Sequence, residues 1–168
     1  PDKFKNPDDT GSAFRTENNK VHLLKQNKAI AVDYVYKDRS MSDILTETRL
    51  IFTPEVVNTL SNHHKMFDYI KYANADGTLL NYYETSDYYE PHYDIATFTV
   101  LTFLYKEPKK FTGGDLVIEN ELTIECKSNR TAIFPSVLLH AVEPVDIGDN
   151  LTGENYGRYS IAQMISVN

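Results

Sequence analysis

His92 and Asp94, two positions apart in Pro91-His92-Tyr93-Asp94, are a pair whose types and spacing suit metal chemistry. Side chains at i and i+2 of a strand share a face, so both can reach one ion with little backbone distortion. Pro91 fixes φ just ahead of them and suits the start of a strand. A His-x-Asp triplet alone is often a solvated surface pair. His140 adds weight, because it stands in the apolar run Leu138-Leu139-His140-Ala141-Val142, where a buried imidazole must find a partner. Two imidazoles and one carboxylate on adjoining strands take one face of an octahedral first-row ion and leave about three positions open.

Arg158-Tyr159-Ser160 supplies a second function. In a strand Arg158 and Ser160 share a face, and a guanidinium with a hydroxyl receives a carboxylate through charge-assisted hydrogen bonds. The flanking Tyr159-Ser160-Ile161-Ala162-Gln163-Met164-Ile165-Ser166 reads as buried. Burying Arg there without an anion is costly. A metal with open positions and a fixed cation nearby together suit a ligand that chelates at one end and carries a carboxylate at the other.

The order Tyr83-Glu84-Thr85-Ser86, Tyr89-x-x-His92-x-Asp94, Gly113-Gly114, His140, Arg158-Tyr159-Ser160-Ile161 resembles the 2-oxoglutarate/Fe(II) dioxygenases, and within them the prolyl hydroxylase branch. The resemblance covers residues 79–165. It implies a double-stranded β-helix of the jelly-roll or cupin type, with Fe(II) on His92, Asp94 and His140, and with 2-oxoglutarate and O₂ as co-substrates supported by ascorbate. It implies that Arg158 and Ser160 hold the far carboxylate of 2-oxoglutarate with a hydroxyl from Tyr105. Tyr83 and Val142 line the co-substrate side, and Tyr89 the substrate side. Related halogenases lack the carboxylate that Asp94 supplies, so its presence implies hydroxylation. The spacing from His140 to Arg158 is longer than in that branch, and the extra residues form a turn-rich loop at 146–157. Collagen-type prolyl hydroxylases usually carry Lys where Arg158 stands, so Arg points toward the oxygen-sensing, bacterial and phage-like relatives.

The implied activity is hydroxylation of a prolyl residue in a peptide or protein, with release of succinate and CO₂. A free amino acid or other small molecule is the alternative substrate. A metal-binding β-helix without turnover is the alternative of another class. Nucleic-acid demethylation is disfavoured, because that branch has a second Arg six residues after the first and Met164 stands there.

These residues need a scaffold, and the rest of the chain reads as a mainly β protein with N-terminal helices. Ala29 to Tyr36 alternates as a strand, and Ser42 to Ile51 suits a helix. A second helix is expected from Thr53 as N-cap, with Pro54 at its first position, as far as Tyr72. Asn74 to Gly77 reads as a turn. Strands are then expected over 78–84, 98–105, 115–118, 122–127, 131–134, 139–145 and 159–166. The organisation is a single domain over 1–168, with a supporting part at 1–77 and a catalytic β core at 78–168. Residues 1–20 read as loop, and 6–20 and 146–157 are candidate covers for the site.

Bulk properties narrow the setting. The 168 residues suit one domain with a sizeable core. Twelve Tyr and eight Phe favour sheet. A formal net charge of −7 argues against a nucleic-acid partner. No apolar run approaches the roughly 20 residues of a membrane span. The one cysteine, Cys126, forms no disulfide within the chain, which suits a reducing cytoplasm. His63 and His64 are adjacent on a helix and diverge, so they read as solvated.

Overall fold

The computed structural model describes residues 13–168. Two antiparallel sheets face each other. The larger runs β11 (Thr131–Pro135), β7 (Phe98–Leu104), β14 (Arg158–Ser166), β5 (Ala75–Tyr83) and β4 (Lys28–Ala31). The smaller runs β10 (Leu122–Ile124), β9 (Leu116–Ile118), β12 (His140–Val142), β6 (Tyr88–His92) and β3 (Lys25–Gln26). From β5 onward the chain passes from one sheet to the other: β5, β6, β7, then β9 and β10, β11, β12 and β14. This is the double-stranded β-helix, or jelly roll, that the motif order implies. Two short pairings flank it, β1 (Phe14–Glu17) with β2 (Lys20–Leu23), and β8 (Thr112–Gly113) with β13 (Val145–Asp146).

Period-2 alternation sorts the side chains. Leu101 and Phe103 of β7 point between the sheets and pack with Leu116, Phe134 and Val142. Phe98 and Val100 of the same strand point outward with Ile165 of β14 and meet Ile51, Val57 and Ile70. Helices therefore cover the outer face of the larger sheet, which explains why β7 is apolar on both faces. Among the described residues no helix is long and apolar enough to cross a membrane.

Several elements depart from the sequence-based expectation. The strand expected over 29–36 stops at Ala31 and becomes the short helix α1 (Val32–Val35). Asp33 causes the change: its carboxylate accepts the Thr78 backbone N–H at 2.7 Å and pairs with Arg39. The expected helix over 42–51 is α2 (Asp43–Glu47), capped by Ser42 and continued as a 3₁₀ turn to Phe52. The helix expected from Thr53 to Tyr72 is α3 (Pro54–His63) followed by a 3₁₀ segment, Lys65–Tyr72. His64 breaks it with an extended backbone while its ring accepts the Met66 N–H. Thr53 does not cap α3, because its hydroxyl donates to the Leu50 carbonyl at 2.8 Å.

Residues 75–77 belong to β5 rather than a turn, because β14 offers a partner to the end, with Ser166 opposite Ala75. The run expected as one strand over 139–145 splits into β12 and β13, which pair with different neighbours. Within the expected loop 1–20, residues 14–17 and part of the following segment form the β1–β2 hairpin. The expectation for 1–12 lies outside the described residues. His63 and His64 are exposed, and Cys126 is buried.

Candidate metal and dicarboxylate site

His92 ends β6, and the sheet register places His140 of β12 directly opposite it. Asp94 has already left the strand. Pro91 therefore stands near the end of its strand, not at its start. The Asp94 N–H donates to the Ser136 carbonyl at 3.1 Å, which turns the chain back toward the two rings. His92 Nε2 lies 3.5 Å from Asp94 Oδ1, and His140 Nε2 lies 3.4 Å from Asp94 Oδ2. One ligand atom from each residue falls within 4.8 Å of the others.

Backbone carbonyls fix the tautomers of both rings. His92 Nδ1 is 2.8 Å from the Glu90 carbonyl, and His140 Nδ1 is 2.9 Å from the Leu138 carbonyl. A carbonyl only accepts, so each Nδ1 carries a proton and each Nε2 is left facing Asp94, open to a proton or to a metal ion. Three acceptors converging this closely need a cation among them, a proton in the free protein or a metal ion. The donor set, its convergence and its carbonyl-fixed tautomers fit a divalent first-row ion.

Asp94 is further held from behind. Thr99 Oγ1 donates to Asp94 Oδ2 at 2.6 Å. With its one proton spent there, Thr99 accepts from the Ser136 hydroxyl at 2.9 Å. Burial works to raise the Asp94 pKa, but donation from His140, His92 and Thr99 outweighs it and holds the carboxyl far below its ordinary value. Thr99→Val keeps the volume and removes the donor. Metal affinity is expected to fall by about 10–100-fold, the usual effect of losing an outer partner. Titration with a divalent ion checks this, and a thermal melt reads the separate cost of leaving the buried Ser136 hydroxyl without its acceptor.

The triad opens into a cavity of about 90 Å³ between the sheets. Tyr83, Tyr89, Val142 and Ser160 line it, as do Lys25, Asn81, Thr99, Phe134 and Met164. Tyr89 stacks on His92 with ring centroids 3.4 Å apart, and Phe134 meets His140 edge-on at 4.9 Å. Tyr83 is buried, which pushes its phenol up, while the Arg158 guanidinium opposes the shift.

Arg158 is wholly buried behind this wall. Its Nη1 donates to Ser160 Oγ at 3.2 Å, while its Nε and Nη2 make no hydrogen bond of ordinary geometry among the described residues, with the Tyr83 phenol and the Cys126 thiol as their electrostatic neighbours. The Tyr83 and Phe103 rings sandwich it, with centroids 4.8 and 5.2 Å from Cζ. Gly114 makes room for the stem: with φ at +73°, a Cβ there would meet Arg158 Cδ at 2.8 Å and Val145 Cγ2 at 3.0 Å. Gly114→Ala is therefore expected to destabilise the fold by roughly 1–3 kcal/mol through overpacking, readable in a denaturant midpoint.

The structure thus brings together His92, Asp94, His140, Tyr83, Tyr89, Val142 and Ser160 around one cavity, with Arg158 behind Ser160. Tyr105 follows β7 and packs edge-on to Phe111, 5.5 Å between centroids, rather than lining the cavity. The loop 146–157 contributes no residue to the cavity lining and is held by hydrogen bonds to its neighbours. Gly153 N–H donates to Glu84 Oε1, Gly157 N–H to the Tyr82 hydroxyl, and Lys106 Nζ to the Glu154 carbonyl. Sequence reasoning missed Lys25, Asn81 and Thr99. Asn81 and Thr99 were within reach, since they alternate with Tyr83 and with Leu101 on inward faces. Lys25 has no such signal.

Residues 78–166, more than half of the chain, match the family model described as the 2OG-Fe(II) oxygenase superfamily. The protein belongs to that superfamily. Among solved structures, it is similar to a prolyl-4-hydroxylase of Pseudomonas putida, at 11% identity and TM-score 0.57 over 86% of this chain and 74% of that one. It is also similar to a 2OG-Fe(II) oxygenase family oxidoreductase of Burkholderia pseudomallei, at 13% identity and TM-score 0.56 over 94% and 72%. At these identities the likeness shows the fold. No curated protein matches the sequence.

Proposed function

We propose that this protein is an Fe(II)- and 2-oxoglutarate-dependent hydroxylase whose substrate is a prolyl residue in a peptide or protein. The single observation that carries the co-substrate is Arg158: a fully buried guanidinium with two donors that make no ordinary hydrogen bond, next to a cavity that ends at a convergent His-Asp-His set. An unpaired buried charge is strongly unfavourable, and a carboxylate relieves it.

In this reading His92, Asp94 and His140 hold the metal on one face. Arg158 and Ser160 take the far carboxylate of 2-oxoglutarate, with Tyr83 and Val142 packed along its chain. Tyr105, packed edge-on to Phe111, is the further hydroxyl expected to reach that carboxylate. Bound iron with 2-oxoglutarate and O₂ supplies the oxidant that places oxygen on a substrate carbon and leaves succinate and CO₂. The protein contributes orientation and a largely apolar pocket. Tyr89, stacked on His92 at the cavity wall, lies on the substrate side. The prolyl choice rests on the motif order from Tyr83 to Ile161 and on Arg at position 158.

A free amino acid or other small acid is a second reading, favoured by the cation Lys25 in the cavity wall. The test incubates protein, Fe(II), ascorbate and 2-oxoglutarate with proline-containing peptides and with free amino acids. Succinate together with the mass gain of one oxygen on a peptide is expected. Turnover with free amino acids alone would replace the prolyl reading, and metal binding without any succinate would make the protein a non-catalytic module.

A further inference from the structure

Lys25 is a charge that the shared machinery does not explain. It lies outside residues 78–166, on β3, where it pairs with Tyr89 of β6. Its residue is 8% exposed and lines the triad cavity. Its Nζ stands 5.5 Å from the Tyr89 ring centroid. Among the described residues it makes no ion pair and no side-chain hydrogen bond. Lysine is almost never this buried without a partner. Burial presses its pKa down, and Asp94 opposes that shift.

Charge identifies the missing partner. Asp94 is engaged by both imidazoles and Thr99. With 2-oxoglutarate in place, one of its carboxylates belongs to the metal and the other to Arg158. Both are then spent, and Lys25 remains a cation in a pocket that must also admit the carbon to be hydroxylated. A second face of that pocket is polar too, since Asn81 lines it and accepts from Asn27 Nδ2 at 3.1 Å.

We infer that Lys25 receives a carboxylate of the substrate, so the enzyme acts on a molecule that carries an acid group close to the carbon being hydroxylated. This rests on the reading given under Proposed function and narrows it. Two sources carry the group: the α-carboxylate of a free amino acid, or an acidic side chain next to a prolyl residue. Lys25 is in this role a specificity residue, distinct from the anchor at Arg158.

The experiment uses two matched pairs, L-proline against L-prolinamide and a capped Gly-Pro-Glu peptide against Gly-Pro-Gln. Each is titrated calorimetrically into the protein loaded with Mn(II) and saturated with 2-oxoglutarate. At least one acid is expected to bind about tenfold or more tightly than its amide. Which pair shows the preference tells the two sources apart. Lys25→Met should abolish the preference and leave the affinity for 2-oxoglutarate within a few-fold of the wild type, while Lys25→Arg should keep the preference. Absence of an acid preference in both pairs would overturn the inference, as would loss of 2-oxoglutarate binding in Lys25→Met. Failure of 2-oxoglutarate to bind the metal-loaded wild type is a different result, and it strikes the proposed function itself.

Discussion

Arg158→Met is expected to do two opposite things: raise the melting temperature of the ligand-free protein and nearly abolish its affinity for 2-oxoglutarate. The first follows from burial. Arg158 is fully enclosed, with no ordinary hydrogen bond from Nε or Nη2, so the folded state carries a desolvation cost that Met does not. Replacing buried charge by an apolar side chain of similar volume is often stabilising by about 1–4 kcal/mol. The second follows from the same donors. Removing one partner of a buried, hydrogen-bonded charge pair costs about 2–5 kcal/mol, which is roughly thirtyfold or more in affinity. Wild type should also gain about 2.7 kcal/mol of stability at a ligand concentration near a hundred times its dissociation constant, and Arg158→Met should not. Thermal melts with and without 2-oxoglutarate read both effects. An Arg158 that only braced the core would give the reverse pattern, a lower melt and unchanged ligand stabilisation.

His140→Ala is expected to lower metal affinity by more than the roughly 10–100-fold that follows loss of an outer partner such as Thr99. His140 and His92 are cross-strand partners with ring centroids 4.1 Å apart, so removing either leaves a two-ligand site. The two variants should behave alike, and His63→Ala and His64→Ala, at exposed positions, should match wild type. The variants are also informative about folding. The His140 ring packs against Phe134, so some loss of stability is expected alongside loss of metal. Equal metal affinity in His140→Ala and wild type would place the ion elsewhere.

The chemistry was more legible in the sequence than the scaffold around it. His92, Asp94, His140 and Ser160, singled out by type and by the i, i+2 spacing of strands, do converge on one cavity, with Arg158 beside Ser160. The elements between 28 and 77 were harder because tertiary partners decide them. Asp33 draws the chain into α1 through Thr78 and Arg39. Asp76 extends β5 into what looks like a turn, held by Arg39, Arg49 and Gln163. The hydroxyl of Thr53, an ideal cap by type, is spent on the preceding 3₁₀ turn. Lys25 stands in a two-residue strand whose pattern carries no signal, and only pairing with β6 reveals that it faces the cavity. The triad also shows where strand logic succeeds by another route. Asp94 meets His92 although the strand has ended, because Ser136 and Thr99 hold it there.

The most direct measurement is an anaerobic titration of 2-oxoglutarate into the Fe(II)-loaded protein, followed by its visible charge-transfer band and then by succinate release on admitting air. A saturable band, succinate in the wild type, and neither in His92→Ala are expected. No band, or a wild type that binds Fe(II) yet shows no metal-dependent affinity for 2-oxoglutarate, would contradict the assignment of His92, Asp94, His140 and Arg158 to one catalytic site.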